Sequence, residues 1–552
     1  MKKGRVIFIL LVLTMSILGL AYRLYNLQVV QHERYSAAAF RQRSRMTEIY
    51  RDRGQILDRN MISFTGRNTE YMAVLQPAVF TSDTDERKWV ADMLGTDIDE
   101  FINFSQYNAE PRVYTIEDKQ AEELAQRSIK GVSVMETRKR TEPKMPAAHL
   151  IGYTDDSCTF GLAGLEKAYQ DILTSQNIVY VQATTDANHK YLDEYGYRLQ
   201  RVYGESPLSI KLTLDYHMQK LAEEVMDKMV VSGAVVIIDI LSGDILVLAS
   251  RPGFNPEDVS AYLNDEAQPL FNRAIAGYTP GSIFKVITAA AALENNFNTA
   301  QTFECPGFVT IGDQVFKCWI YDDSHGTMDL KNGFAQSCNS FFIHLGIQLG
   351  SEKMIETAKE FGLGSVTGIS SQRVSEFAGL LPGPSDLQSD GSIANLAIGQ
   401  GKILITPLQA ASIAATIANG GIRNSVNLVD CIVNKNGDII RDLKKKEWKR
   451  VISRDTANKL MEMMSATVNI GTGYRADIGG YGGSAGKTGS AETGMFEDGK
   501  MIIHAWFTGF FPYLEPRYAM CVFVEDGTGG GTSAAPVFAE IASRIMEWEE
   551  IR

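Results

Sequence analysis

The sequence lacks the closely spaced cysteine pairs that mark a small zinc-binding domain. Its six cysteines form no Cys-x-x-Cys pair, and the seven histidines do not cluster with them along the chain. We therefore expect no metal site and no cofactor. Cys305 and Cys318 lie on either side of a glycine-containing turn region, so they either face each other in a hairpin or remain as two unpaired thiols.

Basic residues are outnumbered by acidic ones. The chain has 54 Lys and Arg residues against 66 Asp and Glu, which gives a formal net charge of −12, and no basic stripe extends beyond residues 444–446. This balance argues against a nucleic-acid-binding protein. A hydrophobic content of 45% and a charged content of 22% are typical of globular domains, and 552 residues predict two or three of them.

Long apolar runs are limited to one, near the N-terminus. Residues 6–22 carry no charge, and three basic residues precede them. The run is at the short end for a membrane span, and its basic flank predicts a cytoplasmic N-terminus. No Ala-x-Ala-like cleavage site closes the run, which favours a retained anchor over a cleaved signal peptide. We predict a cytoplasmic tail at 1–5, a transmembrane anchor at 6–27 and an extracytoplasmic remainder without a second span.

Residues 28–205 are mixed and charged and contain no acid–base constellation, so we interpret them as a scaffold. The pattern changes after this region. Asp215 is placed to cap a helix over 216–230, and two strand-like runs at 233–240 and 244–249 flank a tight Ser-Gly turn, which predicts a β-hairpin. Both runs are apolar on both faces, so we expect helices to cover the sheet.

The chain is organised around residues 280–294, where a Pro-Gly break precedes an alanine-rich run that predicts a buried helix. Ser282 begins this helix and Lys285 follows one turn later, so the two side chains share a face. A serine nucleophile needs a base, and a buried lysine with a lowered pKa can serve as one. The same spacing recurs at Ser484 and Lys487, but in a glycine-rich segment where no helix is expected.

Two further motifs follow in chain order. Ser337 and Asn339 lie in a loop at the start of a second buried helix. Lys487, Thr488 and Gly489 form the only Lys-[Ser/Thr]-Gly sequence in the chain. Apolar strands are predicted after it at 504–510 and 518–525, then a glycine-rich mobile loop at 527–532 and a helix at 536–550.

The three motifs in their contexts resemble the penicillin-binding and serine β-lactamase superfamily. The anchor and the long N-terminal region narrow the resemblance to class B, monofunctional penicillin-binding proteins, which are peptidoglycan D,D-transpeptidases. Four further segments carry this resemblance: Arg53-Gly54 with Asp58-Arg59-Asn60, Gly161 with Gly164-Leu165-Glu166, Ile398-Gly399-Gln400-Gly401, and Thr406-Pro407-Leu408-Gln409. The resemblance covers nearly the whole chain. Met61 departs from the glycine expected there, and no glycosyltransferase signature of a class A enzyme appears in 28–205.

The resemblance implies an α+β fold. We expect a pedestal or dimerisation-type domain of mixed α/β structure at 28–205 and a penicillin-binding/serine β-lactamase-like transpeptidase domain at 206–552. The latter should contain a five-stranded antiparallel sheet covered by helices, together with an all-helical part between Ser282 and about residue 420.

The resemblance also implies the catalytic roles. Ser282 would attack the penultimate D-Ala carbonyl of a donor stem peptide, and Lys285 would take the Ser282 proton. Ser337 and Asn339 would relay protons and hold the donor amide.

The third motif would bind the substrate. Lys487 and Thr488 would hold its terminal carboxylate, and Gly489 would let its backbone approach the strand edge. The N–H groups of Ser282 and Ser490 would form the oxyanion hole.

The implied partners are stem peptides ending in D-Ala-D-Ala, β-lactams, the membrane and a polytopic glycan polymerase of the shape, elongation, division and sporulation class. The alternatives are a β-lactamase, which needs a second base that we cannot assign, a β-lactam sensor, and a largely structural activator of a glycan polymerase. A phosphate-binding loop at 482–488 is excluded, because Tyr481 stands where that motif needs its first glycine.

Overall fold

The computed structural model describes residues 2–31, 35, 44–76, 80–97, 111–155, 158–184, 197–321, 323–497 and 500–551. The strands in this part of the chain are β1 Ser44–Arg53, β2 Ile56–Leu57, β3 Asn68–Leu75, β4 Arg112–Ile116, β5 Val132–Lys139, β6 Thr174–Thr184, β7 Tyr197–Val202, β8 Ser209–Leu212, β9 Gly233–Asp239, β10 Ile245–Arg251, β11 Phe303–Cys305, β12 Phe308–Ile311, β13 Gln314–Lys317, β14 Gly326–Met328, β15 Ile422–Asn424, β16 Val429–Val433, β17 Ile439–Asp442, β18 Trp448–Arg450, β19 Ala485–Glu497, β20 Lys500–Phe511 and β21 Tyr518–Gly527.

The α-helices described are α1 Lys2–Tyr25, α2 Thr84–Leu94, α3 Asp118–Arg127, α4 Ala148–Ile151, α5 Gly164–Ala168, α6 Gln170–Leu173, α7 Tyr216–Met229, α8 Lys285–Glu294, α9 Leu330–Ala335, α10 Asn339–Leu349, α11 Ser351–Glu360, α12 Asp390–Ala397, α13 Pro407–Ala418, α14 Arg454–Asn469 and α15 Ala535–Ile551. Among the described helices, the one that includes α1 is long and apolar enough to cross a membrane, judged by length and composition.

The chain forms two compact units. Unit 1 comprises residues 1–52, 68–139 and 175–206, and unit 2 comprises 53–67, 140–174 and 207–552. Two segments of the region 28–205 therefore fold as part of unit 2. The functional division into a pedestal and a transpeptidase domain stays a prediction.

Unit 1 contains two three-stranded sheets, in the orders β1-β6-β7 and β4-β3-β5. The second sheet pairs β3 antiparallel with both neighbours and packs against α2 and α3. Asp83 begins α2 by accepting the N–H groups of Asp85 and Glu86, and Gly95 ends it in the left-handed conformation.

The central sheet of unit 2 has five antiparallel strands in the order β10-β9-β21-β20-β19. The predicted hairpin is confirmed as β9 and β10, and the predicted later strands are confirmed as β20 and β21. Side chains alternate along β9: Ala234 and Val236 belong to one apolar cluster, and Val235 and Ile237 belong to another. Both faces are thus buried, as the apolar runs predict.

Helices cover both faces of this sheet. The predicted helix after Asp215 is confirmed as α7, with the carboxylate of Asp215 accepting the N–H groups of His217 and Met218. It packs on one face together with α15, whereas α8 and α13 pack on the other. The segment between Ser282 and about residue 420 differs from the prediction in one respect. Besides its helices it contains the short strands β11–β14.

Candidate active site

The predicted nucleophile lies in a tight helical turn. Residues Gly281–Phe284 form a 3₁₀ turn that continues directly into α8. Gly281 has φ 52°, and its N–H donates to the carbonyl of Gly399 at 3.0 Å. The fit is close: a Cβ on Gly399 would lie 2.0 Å from the Gly281 oxygen. The turn therefore requires glycine at both positions, and it holds Ser282 at the partly exposed start of a buried helix.

Lys285 is fully buried and bonded to the second motif. Its Nζ donates to the Ser337 carbonyl at 2.8 Å and to Oδ1 of Asn339 at 2.7 Å, and it lies 3.4 Å from the Ser337 hydroxyl. Burial lowers the pKa of Lys285 from 10.5 to about 8, because an ammonium group loses its hydration there. The environment thus makes the neutral amine accessible near physiological pH.

Hydrogen bonds fix the conformation of the loop that carries Ser337 and Asn339. Ser337 adopts φ 52°, unusual for a residue with a side chain. Cys338 caps α10 by accepting the N–H of Phe341 at Sγ. The amide of Asn339 is fixed at both ends, since Oδ1 accepts from Lys285 and Nδ2 donates to the Lys317 carbonyl at 2.9 Å.

The Lys-Thr-Gly motif lies on β19, the edge strand of the central sheet. Lys487 pairs with Thr508 and Gly489 with Trp506 in the β19–β20 register. Lys487 is fully buried, and burial together with the positive charge of Lys285 lowers the pKa of Lys487 well below its usual value. This electrostatic coupling indicates that the two lysines lie near each other.

β19 lies directly against the nucleophile turn. A Cβ on Gly489 would lie 2.8 Å from Cγ1 of Ile283 and 3.0 Å from the Pro280 oxygen, so only glycine fits. The neighbouring Ser490 is exposed, and its hydroxyl accepts the N–H of Gly530 at 3.1 Å. Part of the predicted mobile loop is instead a helical turn at Gly530–Ala534 that leads into α15.

Comparison with known proteins identifies the family to which this chain belongs. Residues 233–543 match the sequence model of the family described as penicillin binding protein transpeptidase domain. The chain belongs to the penicillin-binding protein transpeptidase family. The resemblance deduced from the motifs is thereby confirmed, and the matched region contains all three of them.

The relatives of this penicillin-binding protein match along most of its length. It is 28% identical to stage V sporulation protein D of Bacillus subtilis over 98% of this chain and 85% of that protein. It is 28% identical to peptidoglycan D,D-transpeptidase MrdA of Acinetobacter baumannii over 97% of this chain and 87% of that protein. A chain of a solved peptidoglycan synthase complex, described as coordinating polymerization and crosslinking, matches with TM-score 0.72 and 26% identity over 99% of this chain and 98% of that chain.

The structure unites most of the predicted site residues. Hydrogen bonds join Lys285 to Ser337 and Asn339, and charge couples Lys487 to Lys285. The hydroxyl of Ser282 makes no hydrogen bond within the described part of the chain, to Lys285 or to any other residue. The other Ser-x-x-Lys serine, Ser484, is buried and donates to the Ala476 carbonyl at 2.6 Å, away from any helix start.

Sequence reasoning missed two residues that contact the predicted site residues. Thr472 lies in a turn before β19, with its hydroxyl 2.5 Å from that of Thr488. No motif marks Thr472, because its contact arises only when the chain folds back onto β19. Gly399 was noted only as part of a family resemblance, and its contact with Gly281 gives it a physical role.

Although the histidines do not cluster with the cysteines along the sequence, folding brings one histidine together with three of them. One ligand atom each of Cys305, Cys318, His325 and Cys338 lies within 4.8 Å of the other three. Cys305 and Cys318 are free thiols, the second of the two alternatives given above. This set of donors is one that can hold a metal ion.

Proposed function

We propose that this chain is a peptidoglycan D,D-transpeptidase that cross-links stem peptides through an acyl-enzyme on Ser282 and is inhibited by β-lactams. One observation carries the proposal: the buried Lys285 bonds to Ser337 and Asn339 one turn after Ser282, beside an edge strand that bears Lys487. The names of its relatives, among them peptidoglycan D,D-transpeptidase MrdA, support the substrate class.

Acylation begins with proton transfer. The neutral amine of Lys285 takes the proton of the Ser282 hydroxyl, whose oxygen attacks the penultimate D-Ala carbonyl. The oxyanion of the tetrahedral intermediate accepts the N–H groups of Ser282 and Ser490. When the intermediate collapses, the C–N bond breaks and the leaving D-Ala amine receives a proton relayed through Ser337. An amine of a neighbouring stem peptide then attacks the ester and frees the Ser282 hydroxyl.

The donor peptide binds as an additional strand along the edge of β19, where the main chain supplies hydrogen bonds. Its terminal carboxylate lies against Lys487 and Thr488. Burial favours the neutral form of the Lys487 amine before substrate binds. An incoming carboxylate favours the ammonium form and therefore raises this lowered pKa of Lys487. This coupling favours anionic substrates over neutral peptides.

Intact-mass spectrometry after incubation with benzylpenicillin tests the nucleophile. The wild-type chain should gain one persistent adduct, and Ser282→Ala should gain none while keeping its melting temperature, because it removes one partly exposed oxygen. Ser484→Ala is the matched control, since Ser484 has the same Ser-x-x-Lys spacing, and it should still be acylated.

The lifetime of the adduct distinguishes the alternatives. Loss of the adduct with consumption of benzylpenicillin would instead identify a β-lactamase. An adduct on Ser282→Ala, or none on wild type together with no reaction of a stem-peptide thioester, would refute the proposed nucleophile.

We infer that α1 anchors the chain in the cytoplasmic membrane with the N-terminus inside and unit 2 outside. The length and apolarity of this helix and the basic residues at its start support this orientation. Fusions of a reporter active only outside the cytoplasm should be active after residue 551 and inactive at residue 1. The reverse pattern would contradict the inference.

A polytopic glycan polymerase of the shape, elongation, division and sporulation class is the proposed protein partner. The similarity to a chain of a peptidoglycan synthase complex supports it. Co-expression should yield a complex, and Ser282→Ala should still stimulate glycan polymerisation. A polymerase rate that this chain leaves unchanged would exclude the partnership.

A further inference from the structure

A cleft in unit 2 lies apart from the predicted active site. It has a volume of about 380 Å³ and is lined by the loop after α11, by α13 and by the strand pair β15–β18. This volume is in the range of small-molecule sites in proteins. None of the predicted site residues lines the cleft, so the proposed transpeptidase reaction leaves it without a role.

Positive charge is concentrated in the cleft. Four basic residues line it, Lys359, Arg423, Lys445 and Lys449, together with one acidic residue, Glu447. The chain as a whole carries a net charge of −12, so the charge of the cleft is opposite in sign to that of the protein. A local excess of positive charge in a concave surface attracts anions.

The guanidinium group of Arg423 is half-buried and has no acceptor in the protein. It packs against Gly362, where a Cβ would lie 2.1 Å from Nη1 of Arg423. Its side chain makes neither a hydrogen bond nor an ion pair with any residue that the structure describes. Burial lowers the pKa of Arg423, and the carboxylate of Glu360 offsets this only in part. A guanidinium group in such surroundings normally donates to oxygen acceptors.

The strand pairing adds a second charge beside Arg423. Lys449 lies directly opposite Arg423 in the antiparallel pair β15–β18, and like charges at opposite positions destabilise a sheet. Glu360 bonds to Lys449 at 2.5 Å, which compensates one of the two charges. The charge of Arg423 is therefore unfavourable for folding, a feature typical of residues that serve binding.

An unpaired hydroxyl lies at the base of the cleft. Ser412, on α13, is only 8% exposed, and its hydroxyl has no hydrogen-bond partner in the described ranges of the chain. Buried polar atoms normally have a partner. The hydroxyl can donate to or accept from a molecule in the cleft.

Hydrogen bonds hold the walls of the cleft in place. The carboxylate of Glu376 accepts the N–H groups of Thr367 and Gly368, at 2.9 Å and 3.1 Å. The amide of Gln409, on α13, donates to the Ser365 carbonyl at 3.0 Å. A cleft that is already ordered loses little conformational entropy when a ligand binds.

The rim of the cleft carries an exposed aromatic side chain. Trp448 is 68% exposed and pairs with Asn424 in β15–β18, one position along from Arg423. An indole offers a flat apolar surface on which the C–H face of a sugar ring can pack. A guanidinium group binds a carboxylate or a phosphate through two parallel hydrogen bonds. The combination suits a ligand with a ring and an anionic group.

We propose that this cleft binds a sugar that carries a carboxylate or a phosphate group. The anionic group bonds to Arg423, the ring packs on Trp448, and the surrounding lysines supply electrostatic attraction. The binding is non-covalent and uses no residue of the active site, so it does not rest on the proposed function.

Three related sugars test the cleft by isothermal titration of the full chain in a detergent without a sugar headgroup. N-acetylmuramic acid carries a carboxylate, N-acetylglucosamine 6-phosphate carries a phosphate, and N-acetylglucosamine is neutral. At least one anionic sugar should bind about tenfold more tightly than the neutral one, because it gains a charge-assisted hydrogen bond. Tighter binding of N-acetylmuramic acid would indicate a carboxylate-bearing glycan as the source, and tighter binding of the phosphate would indicate a phosphate-bearing polymer.

Variants assign the binding to the cleft. Arg423→Gln should weaken the binding of the preferred anionic sugar about tenfold, and Trp448→Ala about threefold. Lys446→Gln is the matched control, since it makes the same change of charge at an exposed residue that does not line the cleft. It should bind as the wild-type chain does. Without sugar, Arg423→Gln should melt no lower than Lys446→Gln, whereas loss of a purely structural arginine would lower the melting temperature.

Three results would overturn the proposal, and none depends on catalysis. The first is equal affinity of the wild-type chain for all three sugars, or no binding of any of them. The second is equal affinity of Arg423→Gln and wild type for the preferred sugar. The third is displacement of that sugar by benzylpenicillin, which would place it in the active site. If Arg423→Gln does not fold, Arg423→Lys replaces it, since it keeps the charge but cannot form two parallel hydrogen bonds.

Discussion

The amine of Lys285 is the group whose protonation state controls the proposed reaction. Burial lowers its pKa from 10.5 to about 8. At pH 7 about one amine in ten is then neutral, against roughly one in three thousand for an ordinary lysine. The second-order rate constant of acylation should therefore rise about tenfold per pH unit below pH 8 and level off above it. Rates measured with a fluorescent penicillin from about pH 6 to about pH 9 check this.

The positive charge of Lys285 acts on Lys487, whose pKa it helps to lower, and both lysines belong to the predicted site. Lys285→Ala should show no acylation at any pH in this range. Constant melting temperature across the range controls for unfolding. A rate that falls with pH, or does not depend on it, would exclude Lys285 as the base.

Met61 occupies a position that favours glycine. Met61 lies in a turn in which the carboxylate of Asp58 accepts the N–H groups of Asn60 and Ile62. In this turn Met61 has φ 68°, in the left-handed region. A side chain strains the left-handed conformation, so Met61→Gly should stabilise unit 2 by about 0.5–1 kcal/mol. Met61→Ala keeps the strain and should give no gain. Urea unfolding checks both variants, and a Gly variant less stable than the Ala variant would contradict this account.

At the scale of elements, the nucleophile turn depends on the loop after α12. Both Gly399 and Gly401 have positive φ, 74° and 88°. A Cβ on Gly399 would collide with the Gly281 oxygen at 2.0 Å, whereas the nearest atom to a Cβ on Gly401 is 3.8 Å away. Gly399→Ala should therefore slow acylation more than tenfold, and Gly401→Ala should not.

Comparing Gly399→Ala with Gly401→Ala separates backbone strain, which both variants have, from displacement of Gly281, which only Gly399→Ala causes. Each substitution costs about 1 kcal/mol of stability from its own backbone, which thermal unfolding measures. Only the displacement of Gly281 should change the acylation rate. Equal acylation rates in the two variants would show that Gly399 does not position Ser282.

Elements with strong local signals could be predicted from the sequence. The cap at Asp215, the hairpin β9–β10 and the alanine-rich α8 follow from neighbouring residues and appear where the sequence places them. The strands β11–β14 were not predicted. Each has only three or four residues, too few for a period-two pattern, and half of these residues are exposed.

At the scale of the whole molecule, unit 2 is assembled from three chain segments, and a buried charge cluster ties two of them together. Glu166 accepts the Nε–H groups of Arg53 and Arg140, each at 2.6 Å. The carboxylate is fully buried and both guanidinium groups are nearly so. Burial lowers the pKa of Arg53, partly offset by Glu166.

Glu166→Gln should cost about 3–5 kcal/mol of unfolding free energy, because it leaves two buried positive charges without a counter-ion. Glu224→Gln removes one partner of an exposed pair with Lys220 and should cost about 0.5 kcal/mol or less. Urea unfolding measures both. A loss at Glu166 no larger than at Glu224 would show that Arg53 and Arg140 find other partners.

The sequence by itself determined the motifs, their order, the apolar N-terminal helix and the elements with strong local signals, such as α7, α8, β9 and β10, because these depend on residues a few positions apart. Only the tertiary structure decided which distant residues meet. Arg53 with Glu166, Gly281 with Gly399, and the cluster formed by Cys305, Cys318, His325 and Cys338 all depend on how packed elements return to one another. Spacing along the chain does not predict such contacts, since the entropic cost of closing a long loop changes little with its length. The packing of the folded elements determines which of these residues meet.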